Sequence, residues 1–133
     1  MSISVRRDGT TGTRHTVHVR NHAFAVDASP AGGGADAGPS PHDLYDAALA
    51  SCKALTVLLY AQRKNMPVED IEVKIERDDS QERQGVYRLK ASLHVTGALD
   101  EAQRAELLRV AAKCPVHRLM VDVKTEIETG WAA

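Results

Sequence analysis

Two thiols carry the strongest chemical signal in this chain. Cys52 lies in the middle of an apolar run, GPSPHDLYDAALASCKALTVLLYAQRKN (38–65), and Cys114 opens CPVHRLM (114–120). Such a pair suits peroxide reduction. One cysteine attacks a peroxide oxygen as its thiolate and becomes a sulfenic acid; the second condenses with it to a disulfide. The attacking sulfur needs a cation or a hydrogen-bond donor beside it. If the run is helical, Tyr45, Ala48, Leu49, Leu55, Thr56 and Leu59 share the face of Cys52. That greasy lining would favour an organic hydroperoxide over hydrogen peroxide. The competing reading is plain packing, because free cysteine is among the residues most often buried. The protein would then hold a small hydrophobic molecule without reacting with it. Residue types alone leave both readings open.

The polar residues near the thiols also divide. His42 and His117 are the candidate base or cation for making a thiolate, or else a solvent-facing first-turn residue and an ordinary loop side chain. Arg118 is a candidate positive charge, or a surface ion-pair partner. Asp43 reads as a capping residue. Lys53 follows Cys52 by one position, so on a helix it points elsewhere, and a solvated or interface-paired side chain is expected. Cys52, Cys114, His42 and His117 match the ligand types of a zinc site, but only Cys114-x-x-His117 has local ligand spacing. No metal and no cofactor is expected.

The elements that must position these groups are well punctuated. Residues 14–26 alternate as two half-buried strands with a turn at Asn21-His22. Residues 27–38, DASPAGGGADAG, form a glycine-rich loop. Ser40 as N-cap, Pro41 at the first helical position and Asp43 three residues after the cap start a helix. Met66-Pro67 stops it near Asn65. About 24 residues at about 1.5 Å each make a helix roughly 36 Å long. It is apolar on nearly every side, and a single domain would struggle to cover it, so a partner subunit is expected. Residues 68–77 and 86–96 alternate as a hairpin with Gly85 in its loop. Residues 100–113 form an amphipathic helix broken at Cys114-Pro115. VHRLM makes one further turn, and VDVKTEIET (121–129) is a last strand. The order β-β-α-β-β-α-β, joined by hairpins, predicts one α+β domain over residues 1–133 with antiparallel sheets packed around the long central helix.

Composition narrows the function. Hydrophobic residues at 43% are enough for a core, and the formal net charge of -1 gives no attraction for nucleic acid or an anionic membrane. The N-terminus MSISVRRDGTTG has no apolar signal core. Asp46 and Lys53 interrupt the one long apolar run, which argues against a membrane span. A cytoplasmic protein with reduced thiols is expected.

GPSPHDLYDAALASCKA (38–54) and CPVHRLM (114–120) resemble the two cysteine motifs of the OsmC/Ohr family, the osmotically inducible and organic hydroperoxide resistance proteins. The glycine-rich loop, the proline at the helix start, the mid-helix cysteine and the second Cys-Pro match in order. The likeness runs from about Arg14 to Thr129. It implies an intertwined homodimer with active sites at the interface, Cys52 peroxidatic and Cys114 resolving. It also implies recycling by cellular dithiols, lipoylated proteins among them. Family members with this chemistry carry a Glu ten residues before the first cysteine. That Glu holds an Arg which activates the thiol. Here the Glu position is His42, and no Arg occurs between residues 21 and 41. Arg14 and Arg20 are the nearest candidates for the Arg.

Overall fold

A computed structural model describes residues 1–133. The chain divides into two compact units, Met1–Ala47 and Ala48–Ala133.

The first unit is built on a three-stranded antiparallel sheet. Its strands are β1 (Ile3–Arg7), β2 (His15–Val19) and β3 (His22–Val26), in the order β1-β2-β3. Val17, the buried residue of β2, pairs with Val5 on one side and Phe24 on the other. The β2–β3 hairpin closes on the Val19–His22 pair, so its loop is Arg20-Asn21, one residue earlier than the sequence suggests. Arg20 takes a positive φ of 52° there. Strand β1 was not expected: Ile3 and Val5 alternate over too few residues to stand out, and both are exposed.

The glycine-rich loop that follows is organised by Asp27. This carboxylate is buried. It accepts from Thr13 Oγ1 at 2.5 Å and from the backbone amides of Ala28, Ala35 and Ala37 at 2.8, 3.2 and 3.0 Å. The Thr13 hydroxyl first, and then the amides, hold its pKa down at about 2 against the upward push of burial. The loop folds back so tightly that any Cβ on Gly34 would overlap the carbonyl of Ala28, which explains a glycine there.

Helix α1 (Pro41–Arg63) begins as the sequence predicts. The Asp43 amide donates to Ser40 Oγ at 3.2 Å, and the Ser40 amide donates to Asp43 Oδ2 at 2.9 Å, a reciprocal cap. It ends in a Schellman motif. Asn65 adopts φ 55°, with Asn65 N–H bonded to Gln62 O at 3.3 Å and Met66 N–H to Ala61 O at 2.8 Å.

In the second unit, β4 (Val68–Asp78) and β5 (Arg88–Gly97) form an antiparallel ribbon with a bulge between Val68 and Asp70. Ile71 pairs with Val95, Val73 with Leu93 and Ile75 with Ala91, so one face of the ribbon is apolar and half-buried. Helix α2 (Glu101–Ala112) starts on a capping box between Asp100 and Gln103. The core lies between α1 and α2. Val57 and Ala61 meet Leu107 and Ala111, with Ile71, Leu93 and Val95 packed against them. Tyr60 donates to Glu106 Oε1 at 3.0 Å, a second tie between the two helices. That bond comes first among the effects that raise the Tyr60 pKa. Helix α3 (Pro115–Val121) follows at once, longer than the single turn expected.

The last expected strand does not form. Val121 closes α3, and residues 124–133 have no regular structure. Val121, Val123 and Ile127 are exposed at 70%, 42% and 80%. A strand exists only when a neighbouring edge accepts its backbone hydrogen bonds, and no strand of this chain pairs with that segment.

Candidate functional site

The site grows from the packing of α1 on α2. Leu107 and Ala111 seat the C-terminal half of α2 on Val57 and Ala61. That contact brings the end of α2, and the start of α3 after it, alongside the middle of α1, where Cys52 and Lys53 stand.

Cys52 is half-buried and Cys114 is fully buried; both are free thiols. The backbone N–H of Val116, two residues past Cys114, donates to Cys52 Sγ at 3.4 Å. Thr56 Oγ1, one turn further along α1, lies 3.8 Å from the same sulfur. Cys114 is the residue immediately before α3, with Pro115 setting the first turn. Burial pushes the Cys114 thiol up from its ordinary value. The backbone amide of His117 and the charge of Lys53 pull it down, while the neighbouring Cys52 thiol adds to the upward push. Cys52 thus meets the first turn of α3, two residues past Cys114.

Lys53 departs from its sequence reading. It is buried, with 4% of its surface exposed, rather than solvated or waiting for a partner subunit. Its Nζ donates to Ala111 O at 2.8 Å and sits 3.0 Å from His117 Nδ1. An ammonium has only donors, so His117 Nδ1 accepts. Lys53 and Cys52 both reach the α2–α3 junction, Lys53 at Ala111 O and His117 Nδ1 and Cys52 at the Val116 amide. That junction is where Cys114 lies. One signal could have found this role: a cation inside an apolar run is rarely tolerated without a dedicated partner. Helix α1 is long and apolar enough, by length and composition, to cross a membrane. Its central lysine is bonded inside the protein, to Ala111 O and His117 Nδ1.

The remaining candidates have other surroundings. His117 is half-buried at the Lys53 contact, whereas Arg118, the next residue, is exposed. His42 is exposed in the first turn of α1. Arg14 is engaged by Asp8, Nη1 to Oδ2 at 2.6 Å. Arg20 sits in the β2–β3 loop with Nη1 3.5 Å from Met1 Sδ. His117 is joined to this cluster by its hydrogen bond with Lys53. No group of three or more His, Cys, Asp or Glu side chains is arranged to hold a metal ion. A hollow of about 150 Å³ lies elsewhere in the second unit, lined by Leu93, Val95, Arg104, Leu107 and Leu108, with neither cysteine in its wall.

A family model described as OsmC-like protein matches residues 32–129, which takes in the later part of the glycine-rich loop, both cysteines and the segment after α3 as far as residue 129. This chain belongs to the OsmC-like family. Solved structures agree in fold. The OsmC-like protein of Mycoplasma pneumoniae superposes with a TM-score of 0.72 at 18% identity, covering 92% of this chain and 87% of that one. The organic hydroperoxide resistance protein OsmC of Legionella pneumophila gives 0.62 at 18% identity, covering 92% and 90%. OhrB of Bacillus subtilis, an organic hydroperoxide resistance protein, gives 0.59 at 22% identity, covering 92% of both chains. Among curated protein sequences none matches. The α+β architecture of this OsmC-like chain, with two antiparallel sheets and a long helix, is thus that of proteins which include hydroperoxide-resistance members.

Proposed function

We propose that this OsmC-like protein is a thiol-dependent peroxidase that reduces organic hydroperoxides. The observation that carries the reading is the amide of Val116 on Cys52 Sγ, because it fixes the segment that begins with Cys114 against the first thiol. Cys52, the more accessible sulfur, attacks the peroxide as thiolate. A sulfur–oxygen bond forms, the oxygen–oxygen bond breaks, and the departing alkoxide takes a proton to become the alcohol. Cys114 then attacks the Cys52 sulfenic acid, forming the disulfide and releasing its oxygen as water. A cellular dithiol restores both thiols and leaves as its own disulfide. The apolar residues around Cys52 select a small hydrophobic peroxide. Leu55 and Leu59 on α1 are 58% and 50% exposed, an unusual state for a long apolar helix, and a second copy of the chain covers them in a homodimer. The protein acts in the cytoplasm.

The test is steady-state turnover of an alkyl hydroperoxide with a dithiol reductant. Turnover is expected in the wild type and none in Cys52→Ser; equal turnover in both would remove Cys52 from the chemistry.

One observation favours a second reading, a non-catalytic dimer that holds a small hydrophobic ligand. The guanidinium of Arg14, a candidate activator, is engaged by Asp8. On that reading the thiols survive hydroperoxide unchanged and a retained apolar ligand appears in native mass spectra.

A further inference from the structure

We propose that Thr56 is a further catalytic residue, whose hydroxyl donates to Cys52 Sγ when that sulfur is a thiolate and, with the Val116 amide, holds it in place. The geometry carries this assignment. Thr56 Oγ1 lies 3.8 Å from Cys52 Sγ, within hydrogen-bond reach of the large sulfur atom. The Val116 N–H donates to the same sulfur at 3.4 Å from the start of α3. All three residues belong to one compact unit, Ala48–Ala133. Helical side chains lean toward the helix N-terminus, so the residue four positions on lies over the sulfur. One turn to either side of Cys52 stand Ala48, Leu49, Leu55 and Thr56. Thr56 alone of these four has a side-chain donor. Cys52 and Thr56 are both half-buried, so water competes less for the bond while the sulfur stays within reach of a reagent.

The two donors differ in kind. The Val116 amide has one fixed N–H and only donates, whereas a hydroxyl rotates and can donate or accept. Beside the protonated thiol, either partner of the Cys52–Thr56 contact can be the donor. Beside a thiolate, which has no proton, Thr56 must donate. The hydroxyl therefore follows the charge on the sulfur without gaining or losing a proton of its own. The bland role of Thr56 is local, because a threonine inside a helix ordinarily gives its hydroxyl to the backbone carbonyl four residues back. That role is indifferent to the ionisation of Cys52, and this difference separates the two.

The consequence for turnover rests on the peroxidase reading. A reactive cysteine needs a cation or a donor beside it, and Thr56 and Val116 supply two donors without a side-chain cation. When the Cys52 thiolate attacks, the sulfur–oxygen bond forms and the oxygen–oxygen bond breaks. The alkoxide leaves with the electron pair of that bond and takes a proton from water. The charge that Thr56 meets on the sulfur passes to the alkoxide in that step.

The assignment itself is tested without any peroxide. The rate at which iodoacetamide alkylates Cys52 is measured against pH, with the product mapped to Cys52 by peptide mass spectrometry, so that Cys114 needs no substitution. The titratable and charged groups at the adjoining α2–α3 junction, Cys114, Lys53 and His117, are the same in every protein compared. Thr56→Val keeps the side-chain shape and removes the donor. Its half-maximal pH should rise by about 0.5–1 unit. Its plateau rate should not fall, because a thiolate that has lost a donor is the stronger nucleophile. Thr56→Ser, which keeps the hydroxyl, should hold the half-maximal pH near the wild-type value. An unchanged half-maximal pH in folded Thr56→Val, or a rate lowered by the same factor at every pH, would leave Thr56 its local helical role and overturn the proposal. A measurement on the unsubstituted protein covers the case where the valine variant fails to fold. The ¹³C signal of Thr56 Cβ should move across the pH range in which Cys52 alkylation rises, and a signal indifferent to that rise also overturns it. A shifted profile in a protein that never turns over hydroperoxide would end the peroxidase reading and leave this one standing. Turnover by the wild type with no shift in Thr56→Val would do the reverse.

Discussion

Oxidation of Cys52 and Cys114 to a disulfide should make the protein markedly harder to unfold. The bond closes a loop of about 60 residues, and the chain-entropy relation removes about 14 cal/mol/K from the unfolded ensemble, about 4 kcal/mol at 25 °C. Strain in the native state subtracts from that figure. Little is expected here, because the Val116 amide, two residues past Cys114, already reaches Cys52 Sγ at 3.4 Å. Both sulfurs also stand on or beside helices held by the Val57, Ala61, Leu107 and Ala111 core. The assay is urea unfolding of protein oxidised with one equivalent of organic hydroperoxide, against protein kept reduced by dithiol, at one protein concentration. With a denaturant slope of about 2 kcal/mol/M, the midpoint should rise by roughly 2 M. Cys114→Ser treated in the same way should show no rise. An oxidised wild type no more stable than the reduced form would mean that the bond forces the helices apart, and the geometric argument would fail.

Two further outcomes follow from the packing. Leu107→Ala should cost about 2–5 kcal/mol in denaturant unfolding, since the side chain is 2% exposed in the α1–α2 core; a cost under about 1 kcal/mol would mean that this core does not hold α2 in place. Asp27 has a folded pKa of about 2, below its ordinary 3.8, so its contribution to stability is complete above about pH 4 and is lost as the pH falls through about 2. Asp27→Asn should therefore flatten the wild-type loss of stability between about pH 4 and pH 2, and identical acid limbs would contradict the clamp on the glycine-rich loop.

Local signals made much of this fold legible. Ser40 and Asp43 cap each other within three residues, and the stop before Met66-Pro67 is a local backbone event, so both ends of α1 could be read from the sequence. The ribbon β4–β5 was legible because Ile71, Val73 and Ile75 alternate over a long stretch. The misses are groups whose state depends on distant partners. Lys53 became a buried cation because Ala111 and His117, far along the chain, receive it. Asp27 looked like one loop residue among many, yet it gathers Thr13 and three loop amides. The segment after α3 has strand alternation but no edge in its own chain to complete it. In the site, the two cysteines were legible by type and spacing. The partners of Lys53 were not, because helix geometry alone places a residue one position after Cys52 without the helix that packs against it.

The central claim is that Cys52 and Cys114 react with each other after peroxide. The direct measurement is intact and peptide mass spectrometry of the reduced protein treated with one equivalent of an alkyl hydroperoxide and then digested without reductant. The account predicts a loss of two hydrogens per chain, mapped to one peptide pair that joins Cys52 to Cys114 within the same chain. Two unmodified thiols, or a stable oxygen adduct on Cys52 with Cys114 still reduced, would contradict it.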